Sequence, residues 1–439
     1  MDKIKNQLNS EKLIEIADKF GTPAYVYEEK KIRENYKEFT QAFKTRYEKV
    51  KICYAYKANT NLAICNILRQ EGAGADVLSI GELQIARDIG IEAENIILTS
   101  TGKTDAEIEL AISNDVVINI DSIQEIGVVN EIAKSMNKTA KVSIRVNPGV
   151  NPKTHPKIAT GLKESKFGVH IESPFDYRRR LSRKPANGQA MEAYRLAQKM
   201  ENLKVVGIHL HIGSQILETD SFKDAAEKVC EFILKLKKEK ILLKFVDLGG
   251  GLGISYTGEE VVGPGDLAEA IIPLIKKLNE NLNYDIELLL EPGRRIVGNA
   301  GMLLTRVLFI KETPYKKFVH VDSGFTALIR PAMYAAYHRV IVVNKLDEDS
   351  TETYTIAGNL CESGDIFAQD RVLPKIKRGD LIGILDAGAY GFAMASNYNS
   401  RTRPCEILIR ENGTIDIIRK RENYDDLLEH QRVPKDLLE

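Results

Sequence analysis

The sequence predicts a (β/α)8 barrel joined to an all-β domain. Three observations carry that expectation. Eight short β-branched runs alternate with longer amphipathic stretches across residues 51–290, the rhythm of βα units around a parallel sheet. A doubly wound sheet would alternate too, but eight units over roughly 250 residues is the size of a barrel. After Gly298 the texture changes to strand-like runs broken by turn signals, with few helical stretches between them.

Taken in order, the barrel runs are Lys51–Tyr56, Ala75–Ser79, Ile96–Ser100, Val116–Ile120, Lys141–Val146, Val205–His211, Phe245–Leu248 and Ile286–Leu290. Helical spacing separates them at Asn61–Gln70, Gly81–Ile89, Asp105–Ser113, Ser122–Met136, Phe222–Lys237 and Leu267–Leu278. The later strands are expected at Leu304–Phe309, Lys317–Val321, Arg339–Val343, Thr353–Ala357, Leu381–Leu385 and Glu406–Arg410, with Asn412-Gly413 as a hairpin turn. Ala24–Tyr27 precedes the first barrel unit and is expected to join the β domain. The expected division is therefore a barrel over 37–295 and a discontinuous β domain from 1–36 and 296–439. Residues 147–169 and 174–189 read as long loops, the stretch 177–189 being markedly basic.

Composition excludes several classes. Of 439 residues, Lys plus Arg equals Asp plus Glu at 62 each, so no global charge points to nucleic acid or a membrane surface. The five cysteines are scattered without a CxxC pair, which argues against a disulfide framework or a zinc site and for a reducing compartment. The first 20 residues are charged and helical in pattern without an apolar signal core, and no apolar run reaches about 18 residues. A cytoplasmic protein is expected.

Barrel catalysis sits at the C-terminal strand ends, where this chain concentrates its polar and glycine residues. The first run ends in Lys57, which either reaches solvent or, in a partly dry pocket, forms a Schiff base. The sixth ends His209-Leu210-His211, with both imidazoles on one face. They are metal ligands lacking a carboxylate partner, a flat stack for an aromatic cofactor, or core histidines. The seventh ends in Gly249-Gly250-Gly251, which lets backbone N–H groups approach a phosphate. It is no dinucleotide fingerprint, because the sixth position from Gly249 is Ile254. Nor is Gly102-Lys103-Thr104 a P-loop, since Ile97 stands where the first glycine is needed. The eighth ends Glu291-Pro292-Gly293-Arg294: the acid could pair with a protonated ring nitrogen and the arginine with a carboxylate.

Together these stretches resemble the diaminopimelate decarboxylase family of alanine-racemase-like (fold-type III) pyridoxal-phosphate (PLP) enzymes. The resemblance lies in YAYKAN at 54–59, GADVLSIGEL at 74–83, HIGSQI at 211–216, DLGGGLGI at 247–254 and EPGR at 291–294. It continues through VDSG at 321–324, LIRPAMY at 328–334, CESGD at 361–365 and DAGAYG at 386–391. It implies PLP-dependent decarboxylation of meso-2,6-diaminopimelate to L-lysine, the last step of lysine biosynthesis, with no metal. In the roles it implies, Lys57 carries the cofactor as a Schiff base, His211 stacks on its ring and Glu291 keeps its nitrogen protonated. Asp76, Ser214, Gly250, Gly251, Gly293, Arg294 and Tyr390 are the other cofactor contacts. Arg294, Arg330, Tyr334, Glu362 and Tyr390 bind substrate, and Cys361 donates the proton. A homodimer with shared active sites is also implied. Competing readings are a decarboxylase of ornithine, arginine or carboxynorspermidine, an amino-acid racemase, and a non-catalytic PLP carrier. Arg330, the CESGD segment and the β domain respectively argue against them.

Overall fold

The computed structural model describes residues 9–172 and 188–438; the basic stretch, up to residue 187, lies outside them. The chain divides into two compact units, Arg33–Ile254 with Glu260–Ile296, and residues 9–32, Ser255–Glu259 and 297–438. The five residues Ser255–Glu259 therefore group with the β unit although they interrupt the barrel segment.

Eight parallel strands close the barrel: β2 (Val50–Ala55), β3 (Gly74–Val77), β4 (Ile96–Leu98), β5 (Val117–Ile120), β6 (Ala140–Asn147), β8 (Leu203–His209), β9 (Phe245–Asp247) and β10 (Glu287–Leu290). They pair in that order, and β10 returns to β2 in the register Leu289↔Lys51. A two-residue strand β7 (Val169–His170) adds to β6. All eight expected runs are strands, and the (β/α)8 expectation holds.

Period-two alternation decides what fills the barrel. Cys53, Ile97, Val117, Val206, Phe245 and Leu289 form one apolar layer. Gly207 pairs with Phe245, and any Cβ on Gly207 would run into the Phe245 ring. A glycine is needed there because the phenyl group occupies its side-chain space. Two residues further along the strands the inward positions turn polar: Thr99, Asn119, His209, Asp247 and Glu291, joined by Asp76 and Arg145, all buried. Helix caps then fix where each rim loop begins. Asn61 Oδ1 accepts from Ala63 N at 3.0 Å, Ser79 Oγ from Glu82 N at 3.2 Å, and Thr104 with Glu107 forms a capping box.

The β unit is a nine-stranded sheet. Its main path runs β15 (Ile366–Leu373), β14 (Glu352–Ala357), β12 (Lys317–Val321), β11 (Gly301–Glu312), β1 (Ala24–Glu28), β17 (Cys405–Ile409) and β18 (Ile415–Arg419). Strand β16 (Leu381–Ile384) pairs with β11 and with β13 (Val340–Val342). The early strand β1 lies between β11 and β17, in the β unit as expected from its place before the first barrel strand. The helix Ser10–Phe20 packs Leu13, Ile16 and Ala17 into this unit's core with Val26, Leu304 and Ile407. Strand β18, which pairs with β17 across the expected Asn412-Gly413 hairpin turn, and β15, which the sequence does not announce, are the two ends of the main path. Edge strands face solvent, and the run Gln369-Asp370-Arg371 lacks the apolar alternation that flags a buried strand.

Lys103 ties two rim segments together from a fully buried position. Its Nζ donates to Ser100 O and Asn119 O, each at 2.6 Å, and to Glu125 Oε1 at 2.7 Å. K103A should destabilise the protein by about 3–5 kcal/mol, because it leaves a part-buried carboxylate and two carbonyls uncompensated. The urea midpoint checks this; a change below about 1 kcal/mol would show that the contact is dispensable.

Candidate functional site

The rim starts at Lys57. Strand β2 ends in a tight turn, Tyr56–Ala58, pinned from below by the Tyr54 hydroxyl, which donates to Asn59 O at 3.0 Å. Lys57 Nζ lies 2.9 Å from Asp76 Oδ2, and the lysine side chain is 29% exposed while Asp76 has no exposure. The other Asp76 oxygen is buried without a hydrogen bond. Burial, and then the nearby Glu291 charge, raise the Asp76 carboxyl above its ordinary range, against the pull of Lys57.

Beside this pair, His209, Asp247 and Glu291 bring one ligand-type atom each to within 4.8 Å of one another. His209 therefore does have carboxylate neighbours, contrary to the sequence expectation, because β9 and β10 each place an inward acid at the same height. Burial and then Glu291 push the Asp247 carboxyl well above the usual range; Glu291 is raised by burial too, with Lys57 and Asp247 pulling it down. Two buried acids this close oppose each other's ionisation. Burial, then Arg145, lower His209 far below its ordinary range, so it stays a neutral imidazole. Arg145 itself is 6% exposed and pairs with Asp121 at 3.9 Å.

Strand β8 continues to His211, whose Nδ1 accepts from Gly250 N at 3.2 Å. Burial and then Lys57 lower its pKa, leaving a flat neutral ring over the rim. The segments 211–216 and 247–254 are stitched by Ile216 N to Gly251 O and Gly253 N to Ile216 O, both at 3.0 Å. A Cβ on Gly250 would collide with the carbonyl oxygen of Glu291, so backbone alone fits at this turn. Arg294 Nη2 donates to Ser214 Oγ at 3.0 Å, and Gly293 packs against Ala55 and Ala58.

The expected residues Lys57, Asp76, His211, Ser214, Gly250, Gly251, Glu291, Gly293 and Arg294 thus all belong to the barrel unit. Arg330, Tyr334, Cys361, Glu362 and Tyr390 belong to the β unit. Cys361 and Glu362 are exposed, whereas the other four cysteines are buried. Asn399 Nδ2 donates to Cys361 Sγ at 3.2 Å and the Tyr398 hydroxyl to Glu362 Oε1 at 2.7 Å. Tyr390 sits at φ 56°, a left-handed backbone uncommon for an aromatic residue.

Asp247, Arg145 and Glu82 were missing from the sequence expectation. The signal for the first two was alternation: each continues an inward-facing register past an apolar or small residue. Glu82 gave no such signal, since it doubles as a cap, accepting from Leu78 N at 2.7 Å.

These residues fit a phosphate-bearing aromatic cofactor. They offer an amine, a flat neutral ring, a glycine turn that excludes side chains, and a buried Glu291 oxygen without a hydrogen bond. The comparisons agree. Residues 29–298 match the family profile described as the pyridoxal binding domain of pyridoxal-dependent decarboxylases. The diaminopimelate decarboxylase of Archaeoglobus fulgidus is 45% identical, covering 97% of each chain, and that of Methanocaldococcus jannaschii is 45% identical, covering 97% and 94%. A crystal structure of the M. jannaschii enzyme in co-complex with L-lysine is similar at a TM-score of 0.88 and 44% identity, covering 97% and 95% of the two chains. The Helicobacter pylori enzyme complexed with L-lysine follows at 0.85 and 38%, covering 96% and 98%.

Burial pushes the Glu82 carboxyl up to about 7, from 4.5. Between those values the folded protein keeps a proton that the unfolded chain has released, so this group's contribution to stability falls as pH rises and levels off above about 7. E82Q still accepts from Leu78 and removes that dependence. It should gain stability relative to the parent from pH 5 to pH 8 in urea denaturation; an equal difference at both pH values would refute the shift.

Proposed function

Because the chain belongs to the pyridoxal-dependent decarboxylases, and among them to the diaminopimelate decarboxylase family, we propose that its barrel rim is where meso-2,6-diaminopimelate loses carbon dioxide to give L-lysine. The protein is a PLP-dependent carboxy-lyase of lysine biosynthesis. The extent of the likeness carries this reading: 45% identity runs through 97% of both chains, so barrel and β-unit motifs are matched together.

When bound, PLP supplies an electron sink for the pair left behind as carbon dioxide departs. The protein's part is binding, orientation and proton handling. Lys57 is the amine that would hold the cofactor, with Asp76 fixing Nζ and taking or returning its proton. Glu291 would pair with the ring nitrogen and His211 would stack on the ring. Ser214, Gly250, Gly251, Gly293 and Arg294 would hold the phosphate. Arg294 and Arg330 suit the distal carboxylate of the substrate, Glu362 its distal ammonium, and Tyr334 and Tyr390 its chain. Cys361 would deliver the proton to the α-carbon.

A homodimer completes this reading, with the segments 361–365 and 386–391 of one subunit serving the other's site. The exposure of Cys361 and Glu362 within a single chain supports it. Among the described residues no helix is long and apolar enough to cross a membrane, and we place the enzyme in the cytoplasm.

Carbon dioxide release should be seen with meso-diaminopimelate and not with L-ornithine, L-arginine or L-lysine; turnover of any of those instead would overturn the substrate. K57A and C361A subunits, each inactive alone, should regain about a quarter of parental activity when mixed and reassociated, since half of the random pairs carry one intact site. No recovery, with mixed dimers demonstrated by mass, would mean that each site is built from one subunit.

A further inference from the structure

Arg330 is 5% exposed in the β unit and is held by a side chain that no motif announces. His338, fully buried, places Nε2 2.8 Å from Arg330 Nη1 and Nδ1 2.8 Å from the carbonyl oxygen of Leu385. That carbonyl is fixed, because Leu385 N donates to Arg339 O at 2.9 Å beside the β13–β16 pairing. A carbonyl only accepts and a guanidinium only donates, so the two contacts specify one tautomer: Nδ1 carries the proton and Nε2 accepts. An imidazolium would turn a second N–H toward the guanidinium and lose that bond. Tyr256 completes the clamp. Its ring lies under the guanidinium with the Arg330 carbon 4.8 Å from the centroid, and meets the His338 ring edge-on at 5.3 Å and 76°.

The chemistry of the partner matters. A carboxylate at His338 would orient the arginine equally well but would also cancel its charge. A neutral acceptor orients the guanidinium without itself cancelling the charge. The Asp386 carboxylate senses Arg330, but it is engaged bidentately by Arg339 at 2.8–3.0 Å.

We infer that His338 is a positioning residue for substrate recognition, presenting the Arg330 guanidinium to an anionic group without consuming its charge. The inference rests on the reading above, in which Arg330 meets the distal carboxylate. It makes the pair His338–Arg330, rather than the arginine alone, the determinant of selection for a substrate with two acidic ends.

The test compares inhibition by L-lysine with inhibition by cadaverine, which has the same chain without a carboxylate. In the holoenzyme, H338L should raise Ki for L-lysine and KM for meso-diaminopimelate tenfold or more, with kcat and the cadaverine Ki within about threefold of the parent. H338Q, whose amide can accept from Arg330 and donate to Leu385, should restore both values. The double variant R330A/H338L should be no worse than R330A, because the histidine acts through the arginine. A cofactor absorbance near 420 nm equal to that of the parent shows that the fold and the barrel site are intact. If H338L fails to fold, H338N, polar but too short to reach Arg330, gives the same reading. Additive effects in the double variant, or equal losses for lysine and cadaverine, would overturn the inference while leaving the Arg330 assignment standing. An R330A variant that still prefers L-lysine over cadaverine as the parent does would overturn the assignment itself.

Discussion

Asp76, Asp247 and Glu291 share a buried layer with Arg145, directly beyond the apolar side chains that fill the barrel, and the half-buried Lys57 reaches it from the rim. Burying carboxyls this close together is costly, and all three are raised above their ordinary range. Burial, with Arg145 beside His209 and Lys57 beside His211, keeps both imidazoles neutral. Changing the charge of any member should shift the others, so the layer behaves as one titrating unit rather than as five residues.

The support for this layer is apolar and steric. Phe245 fills the barrel beneath it only because Gly207 has no side chain, and the glycine turn at 249–251 lets the backbone close over the rim. In the β unit, aspartates take the corresponding structural role. Asp365 accepts from Phe325 N at 2.7 Å and Leu360 N at 2.9 Å, which shapes the loop that exposes Cys361. Asp322 accepts from Thr305 Oγ1 at 2.5 Å and Arg306 N at 2.9 Å. Both acids serve as loop scaffolding.

The barrel was legible because its strands are β-branched on both faces and its helices are long; all eight runs lie within a few residues of their observed bounds. Rim residues such as Lys57 and Glu291 were legible from their position just past a strand. Asp247 was not, because the adjacent glycines drew the eye and its inward direction depends on register with β8 and β10. His338 was invisible for a different reason. Its role rests on a carbonyl 47 residues away and on an aromatic ring from an interrupted part of the barrel segment. The edge strand β15 was not legible because solvent, not a second layer, meets much of its surface, whereas β18 was announced only by its hairpin turn.

The excursion Ser255–Glu259 bears on how such a protein can change by recombination. A single crossover near residue 296 would exchange most of the β unit but keep the original Tyr256, whose ring braces Arg330. A gene segment encoding the barrel cannot be cut out cleanly either, since the β unit draws on three separate stretches of chain. Shuffling whole modules is thus a poor route to a new specificity for this architecture. Substitutions at positions far apart in the gene, Tyr256, Arg330 and His338, would have to change together.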